Sequence, residues 1–171
     1  MIIRIETPRL RIFPLTLPQL DKLIAGMPEL EAELGLAPSG QELDAHTREA
    51  MQSLADLARE TPDSFPWITN WQIVAKAENT AVGSACFMSR PDDAGAIEIG
   101  YGIHPAFQGR DFMTEALGAI AAWAFGFPGG PRMMTAETEP DNPASRRVLE
   151  KCGFTARDER NYLLSDATLR T

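Results

Sequence analysis

The chain has 171 residues, 44% hydrophobic and 23% charged, which suits one domain spanning residues 1–171 and leaves each half of a two-domain division marginal. A formal net charge of −8 argues against the basic surface that nucleic acid requires and against attachment to an anionic membrane. Cys86, Cys152, His46 and His104 show no metal-ligand spacing, so reduced buried thiols and no metal site are expected.

The opening residues MIIRIETPRLRIF alternate apolar and charged side chains and lack the apolar core of a signal peptide. The longest apolar stretch, Leu117 to Phe127, is far short of the roughly 20 residues of a membrane span. A soluble, cytoplasmic protein is the expectation. Residues 2–6 and 9–13 read as strands broken at Thr7-Pro8. Thr16-Leu17-Pro18 reads as a helix start, and that helix runs to about Gly26. Residues 35–41 form a loop, and a helical period returns from Gln41 to Glu60, with Leu43, Met51, Leu54 and Leu57 on one face.

Three strand signals follow, at Trp71 to Ala77, Ala81 to Met88 and Ala96 to Ile103, spaced as an antiparallel meander. His104 to Gly109 is a loop, Met113 to Phe125 a helix, and Met133 to Thr138 a strand. Asn142-Pro143 opens a further helix, which Gly153 closes, and a terminal strand or pair includes Asn161 to Leu164. The order β-α-α-β-β-β-α-β-α-β is that of an α/β (α+β) protein, a mixed and mostly antiparallel sheet with helices on its faces. The strand, loop and helix over residues 96–125 set a helix N-terminus beside a strand end, where free N–H groups and the helix dipole favour an anion.

The segment EIGYGIHPAFQGRDFMTEAL, Glu98 to Leu117, resembles the acetyl-CoA-binding strand–loop–helix of the GNAT (GCN5-related N-acetyltransferase) family. EPDNPASRRVLEKCGF, Glu139 to Phe154, resembles the next strand–helix unit of that family. TPRLRIFPLT, Thr7 to Thr16, is similar to the start of its branch of ribosomal-protein N-terminal acetyltransferases, the RimJ/RimL type. The resemblance implies transfer of the acetyl group of acetyl-CoA to a primary amine, by direct attack in a ternary complex and without a metal. The acceptor it implies is a small-molecule amine or a protein N-terminus. Homodimers are frequent in the family and are an assembly it allows.

By the same resemblance, the cofactor-binding positions are Ile103, His104, Gln108, Gly109, Arg110, Asp111, Phe112, Met113, Thr114, Asn142 and Ser145. Asn142 would contact the pantetheine arm. Ser145 would lie near the sulfur, where its hydroxyl could protonate the departing thiolate. Each has a purely local alternative, Asn142 as a helix cap and Ser145 as a first-turn residue. The thioester carbonyl would meet a backbone N–H near Gly102, Ile103 or His104. Glu98 is the first candidate for the base that takes the amine proton, with Glu137, Glu139 and His104 behind it.

The phosphate loop departs from the family pattern at two positions. Asp111 stands where the pattern has its first signature Gly, and Met113 where it has a second small residue. Asp tolerates unusual φ, but a carboxylate beside a pyrophosphate repels it unless it turns aside or meets a cation. Arg110 is the neighbour expected to meet it. If Asp111 instead spoils the cradle, the chain is a catalytically weakened or inactive CoA-binding or sensor protein that keeps the fold. Met113 either points into the core behind the loop or crowds the phosphate. Arg146, Arg147 and Lys151 are further cations within reach of phosphates. Phe65, Trp67, Trp71, Tyr101 and Phe107 are candidates for an acceptor pocket.

Overall fold

The computed structural model describes residues 2–169. Its strands are β1 (Ile5–Glu6), β2 (Leu10–Pro14), β3 (Asn70–Ala75), β4 (Thr80–Phe87), β5 (Ala96–Ile103), β6 (Met133–Glu137), β7 (Thr155–Ala156) and β8 (Asn161–Ser165). Its α-helices are α1 (Leu17–Ala25), α2 (Met27–Leu34), α3 (Ala45–Glu60), α4 (Phe112–Gly126), α5 (Pro143–Lys151) and α6 (Asp166–Leu169). The strands form one sheet in the order β1-β2-β3-β4-β5-β6-β8-β7. Among the described residues only the β5–β6 pairing is parallel, which is the mixed, mostly antiparallel sheet flanked by helices expected from the sequence.

Helix boundaries follow their caps. Thr16 and Gln19 close a capping box at the start of α1, with Pro18 in its first turn. Helix α3 begins at Ala45 rather than Gln41, because Asp44 accepts the Thr47 N–H at 2.7 Å and fixes the start there. Gln41 is spent elsewhere, donating from Nε2 to the Ala81 carbonyl at 2.7 Å. Helix α2, unassigned in the sequence, turns Met27 and Leu30 inward and stops at Gly35, a left-handed residue with φ 67°.

Two apolar clusters hold the sheet between helix layers. One packs α1–α3 around Leu15, Leu20, Leu30 and Ala81. The other packs α4 and the sheet around Trp71, Phe87, Ile97, Ile99, Leu117 and Ile120. Trp67 and Trp71 belong to this second cluster, where their rings meet Trp123 at 5.3 and 4.6 Å. They are core rather than acceptor pocket.

The feature that positions the site lies between β5 and β6. Their parallel register runs Ala96↔Met133, Ile97↔Met134 and Glu98↔Thr135, and ends there. Beyond Glu98, β5 stays paired with β4 as far as Gly83↔Ile103, while β6 pairs with β8 out to Glu137↔Asn161. The two strands therefore part into a wedge. Alternation along β5 turns Ile97 and Ile99 to the core and Glu98, Gly100 and Gly102 to the other face.

Candidate active site

A cleft of about 330 Å³ opens at the wedge. Tyr101, Gly102 and Ile103 of β5 form one wall, and Phe107, Gln108 and Gly109 the loop beyond it. Asp111, Phe112, Met113 and Thr114 contribute the first turn of α4. Asn142, Ala144, Ser145, Arg147, Val148 and Lys151 contribute α5. Nine of the eleven cofactor-binding positions read from the sequence thus meet here: Ile103, Gln108, Gly109, Asp111, Phe112, Met113, Thr114, Asn142 and Ser145. Glu98, His104 and Arg110 lie outside this lining.

The loop leaves its amides exposed to the cleft. Gly109 has φ 76° and Asp111 φ 59°, both left-handed, and a Cβ on Gly109 would meet nothing within 4 Å. The first intrahelical bond of α4 runs from Glu115 N to Asp111 O at 3.1 Å. The N–H groups of Phe112, Met113 and Thr114 therefore precede any helical partner, and no side chain caps them. Phe112 and Met113 are buried, so both side chains lie behind the loop rather than across it.

Asp111 meets a different cation from the one expected. Lys151 Nζ donates to Asp111 Oδ1 at 2.9 Å, and this hydrogen bond holds the Asp111 carboxyl below its ordinary range. Arg110 instead donates to Glu78 Oε1 at 2.8 Å, on the outer side of the loop. Arg146 is also turned away, donating to the Tyr162 hydroxyl and the Pro140 carbonyl at 3.2 and 3.3 Å. Arg147 and Lys151 are left as the cations of the cleft. Lys151, Ala144 and Val148 share one face of α5 at helical spacing, which brings Lys151, one of the three cations read from the sequence, to the cleft.

Helix α5 differs in its cap. Asn142 Oδ1 accepts the Ser145 N–H at 3.1 Å, and Pro143 occupies the first turn. The Ser145 hydroxyl lies 2.9 Å from the Tyr101 hydroxyl, which also donates to the Ser145 carbonyl at 3.3 Å. Burial pushes the Tyr101 phenol up to about 12, against the opposing effect of Ser145, so it is neutral at physiological pH. Local patterning places Tyr101 among the acceptor-side aromatics and carries no link to Ser145, its partner from another element.

Several candidates have local bonds. Gln108 Nε2 donates to the Ile103 carbonyl at 3.4 Å, and His104 Nδ1 accepts from Ala106 N at 3.3 Å. Glu98 is half-buried at the last paired position of the wedge. Cys152 donates to the Thr114 carbonyl at 3.3 Å, and burial pushes its thiol up to about 11. Burial likewise raises Cys86. Neither thiol has the lowered pKa of a nucleophile. Among the described residues no group of three or more His, Cys, Asp or Glu side chains stands ready to hold a metal, and no helix is long and apolar enough to cross a membrane.

An open cradle of N–H groups at one end, two cations beside it and a parted strand pair at the other fit a ligand with a pyrophosphate and a long amide-bearing arm. The sequence model of the acetyltransferase (GNAT) domain matches residues 9–155. An uncharacterized N-acetyltransferase of Bacillus subtilis (strain 168), YjdG, is 29% identical over 153 residues, covering 90% of each chain. In fold, the chain is similar to the ribosomal-protein-S5-alanine acetyltransferase of Vibrio fischeri, with TM-score 0.69, 16% identity and coverage of 97% and 98%. It is also similar to RimL, a ribosomal L7/L12 alpha-N-protein acetyltransferase solved with coenzyme A, with TM-score 0.68, 18% identity and coverage of 95% and 98%. With the match spanning the strand pair, the loop and both cleft helices, the chain belongs to the GNAT acetyltransferase family.

Proposed function

We propose that this chain, as one domain over residues 1–171, transfers the acetyl group of acetyl-CoA to a primary amine by direct attack in a ternary complex. The observation that carries the reading is the cleft, with an uncapped helix N-terminus at one end and the wedge at the other. Acetyl-CoA supplies an activated thioester. The amides of Phe112, Met113 and Thr114 hold its pyrophosphate, with Arg147 and Lys151 adding positive charge in an acidic chain. The pantetheine arm follows the wedge, where Asn142 and the exposed edge of β5 meet it. A β5 amide near Ile103 donates to the carbonyl oxygen as charge builds there.

Two proton transfers are assigned to this chain's own groups. Glu98, at the apex of the wedge, takes the proton from the amine, directly or through water. Ser145 gives its proton toward the thiolate, and the neutral Tyr101 hydroxyl, 2.9 Å away, positions that hydroxyl. The acceptor is a small-molecule amine or a protein N-terminus. The RimL likeness in fold makes N-terminal peptides a sensible first panel. The pairing of Asp111 with Lys151 supports an active enzyme over an abandoned site, since it gives the carboxylate a partner other than pyrophosphate.

The test is thiol release from acetyl-CoA across N-terminal peptides, polyamines and amino acids. We expect turnover with at least one class, and Glu98→Gln to lower kcat by about a hundredfold or more with little change in donor KM. CoA binding without turnover across the whole panel would overturn the transferase reading. A Glu98→Gln enzyme with full kcat would remove Glu98 from it.

A further inference from the structure

The opening TPRLR segment takes no part in the roles above. Thr7 and Arg9 pack against the outer side of the phosphate loop, away from the cleft lining. Thr7 Oγ1 donates to Glu115 Oε1 at 2.6 Å, and the Arg9 amide donates to the same oxygen at 3.0 Å. Arg9 Nε donates to Glu115 Oε2 at 2.7 Å, while its Nη1 donates to the Arg110 carbonyl at 2.8 Å. The Arg9 and Arg110 guanidiniums lie 4.6 and 4.5 Å from the centre of the Phe112 ring.

We infer that Arg9 is a positioning residue for the pyrophosphate cradle, an inference that rests on reading the cleft as the CoA site. The peptide joining Arg110 to Asp111 is planar and trans, so its N–H points opposite to its carbonyl. Arg9 holds that carbonyl on the outer side, which turns the Asp111 N–H away from Arg9. The same side chain grips Glu115, fixing the first turn of α4 and the direction of the amides there. Asp111 sits in the left-handed region, which a non-glycine residue keeps only where its surroundings impose it. The fork of one guanidinium, reaching Glu115 and Arg110 together, is such a constraint.

The position of this clamp separates its effect from general stability. The Arg9 side chain is 45% exposed, and Glu115, 19% exposed, keeps the bonds from Thr7 Oγ1 and the Arg9 amide when the guanidinium is removed, so this ion pair adds little to folding. Its loss should therefore appear in CoA affinity rather than in the melting temperature.

The experiment is calorimetric titration of the full chain with CoA, beside its ligand-free melting curve, for the unmodified protein, Arg9→Ala and Arg9→Lys. Arg9→Ala is expected to weaken CoA binding about tenfold, the scale of couplings carried by residues that do not touch the ligand, with an unchanged melting curve. Arg9→Lys keeps the charge but cannot reach both partners, so it should remain weakened severalfold. Unmodified affinity in Arg9→Ala, full rescue by Arg9→Lys, or an affinity loss that only follows a lower melting temperature would each overturn the inference. An unmodified chain that fails to bind CoA overturns the underlying reading instead.

Discussion

Two helix N-termini line the cleft, and they are finished in opposite ways. At α5, Asn142 caps the Ser145 N–H, so this end is closed by the chain's own chemistry. At α4, Asp111 occupies the cap position in a left-handed conformation, and its side chain makes no cap bond. Instead its carboxylate is tied sideways to Lys151, itself at the end of α5. A cap carboxylate that bonded the α4 amides would compete with any anion for them. Turning it onto Lys151 leaves those amides available. One helix end is thus finished for stability, the other left open for a ligand.

Substitutions can break or sharpen that contrast. The largest effect is expected at Gly109. A valine there would be forced out of the left-handed region, reshaping the loop, and should weaken CoA binding about tenfold to a hundredfold by calorimetry. Lys151→Ala should come next, weakening CoA about fivefold, because it removes a cation and releases the Asp111 carboxylate beside the cradle. Asp111→Gly should tighten CoA binding about threefold and abolish most of the Lys151→Ala penalty in the double variant. Additive effects of the two would show that the pair is not the relevant unit.

Asn142→Ala tests the closed end. It should lower stability by about 1 kcal/mol, or roughly 3 °C in Tm, as a lost cap does. A rise in donor KM beyond that loss would assign Asn142 to the pantetheine arm as well.

The smallest effect concerns pH. Lys151 holds the folded Asp111 pKa below its ordinary value, so the pair's contribution is present above the ordinary carboxylate range and fades as pH falls through the lowered value. CoA affinity should therefore show no step assignable to Asp111 between about pH 6 and 8. A step in that window that disappears in Asp111→Gly would contradict the pairing.

Elements with a strong local period were legible in the sequence. β5 over 96–103 and the β6 start at Met133 agree with the structure, as does the opening of α5 at Pro143. Helix α2 escaped because Gly26 read as a stop, although Pro28 fits a first turn as well as a break. The apolar period reads α3 as starting early because Leu43, which packs with that cluster, belongs to the segment before the helix. The cleft residues were legible as a set, through the resemblance carried by two segments. Their partners were not. Tyr101 finds Ser145, Asp111 finds Lys151 and Arg9 finds Glu115 only after the strands are paired and α4 and α5 are docked. Such contacts depend on three-dimensional register, which local patterning does not encode.

The central claim is that the α4 N-terminus remains a working pyrophosphate cradle despite Asp111 and Met113. Calorimetric titration of the purified chain with acetyl-CoA and with CoA tests it most directly. Dissociation constants near micromolar, about −8 kcal/mol, are the predicted result. No heat with either ligand, from protein shown to be folded, would contradict it.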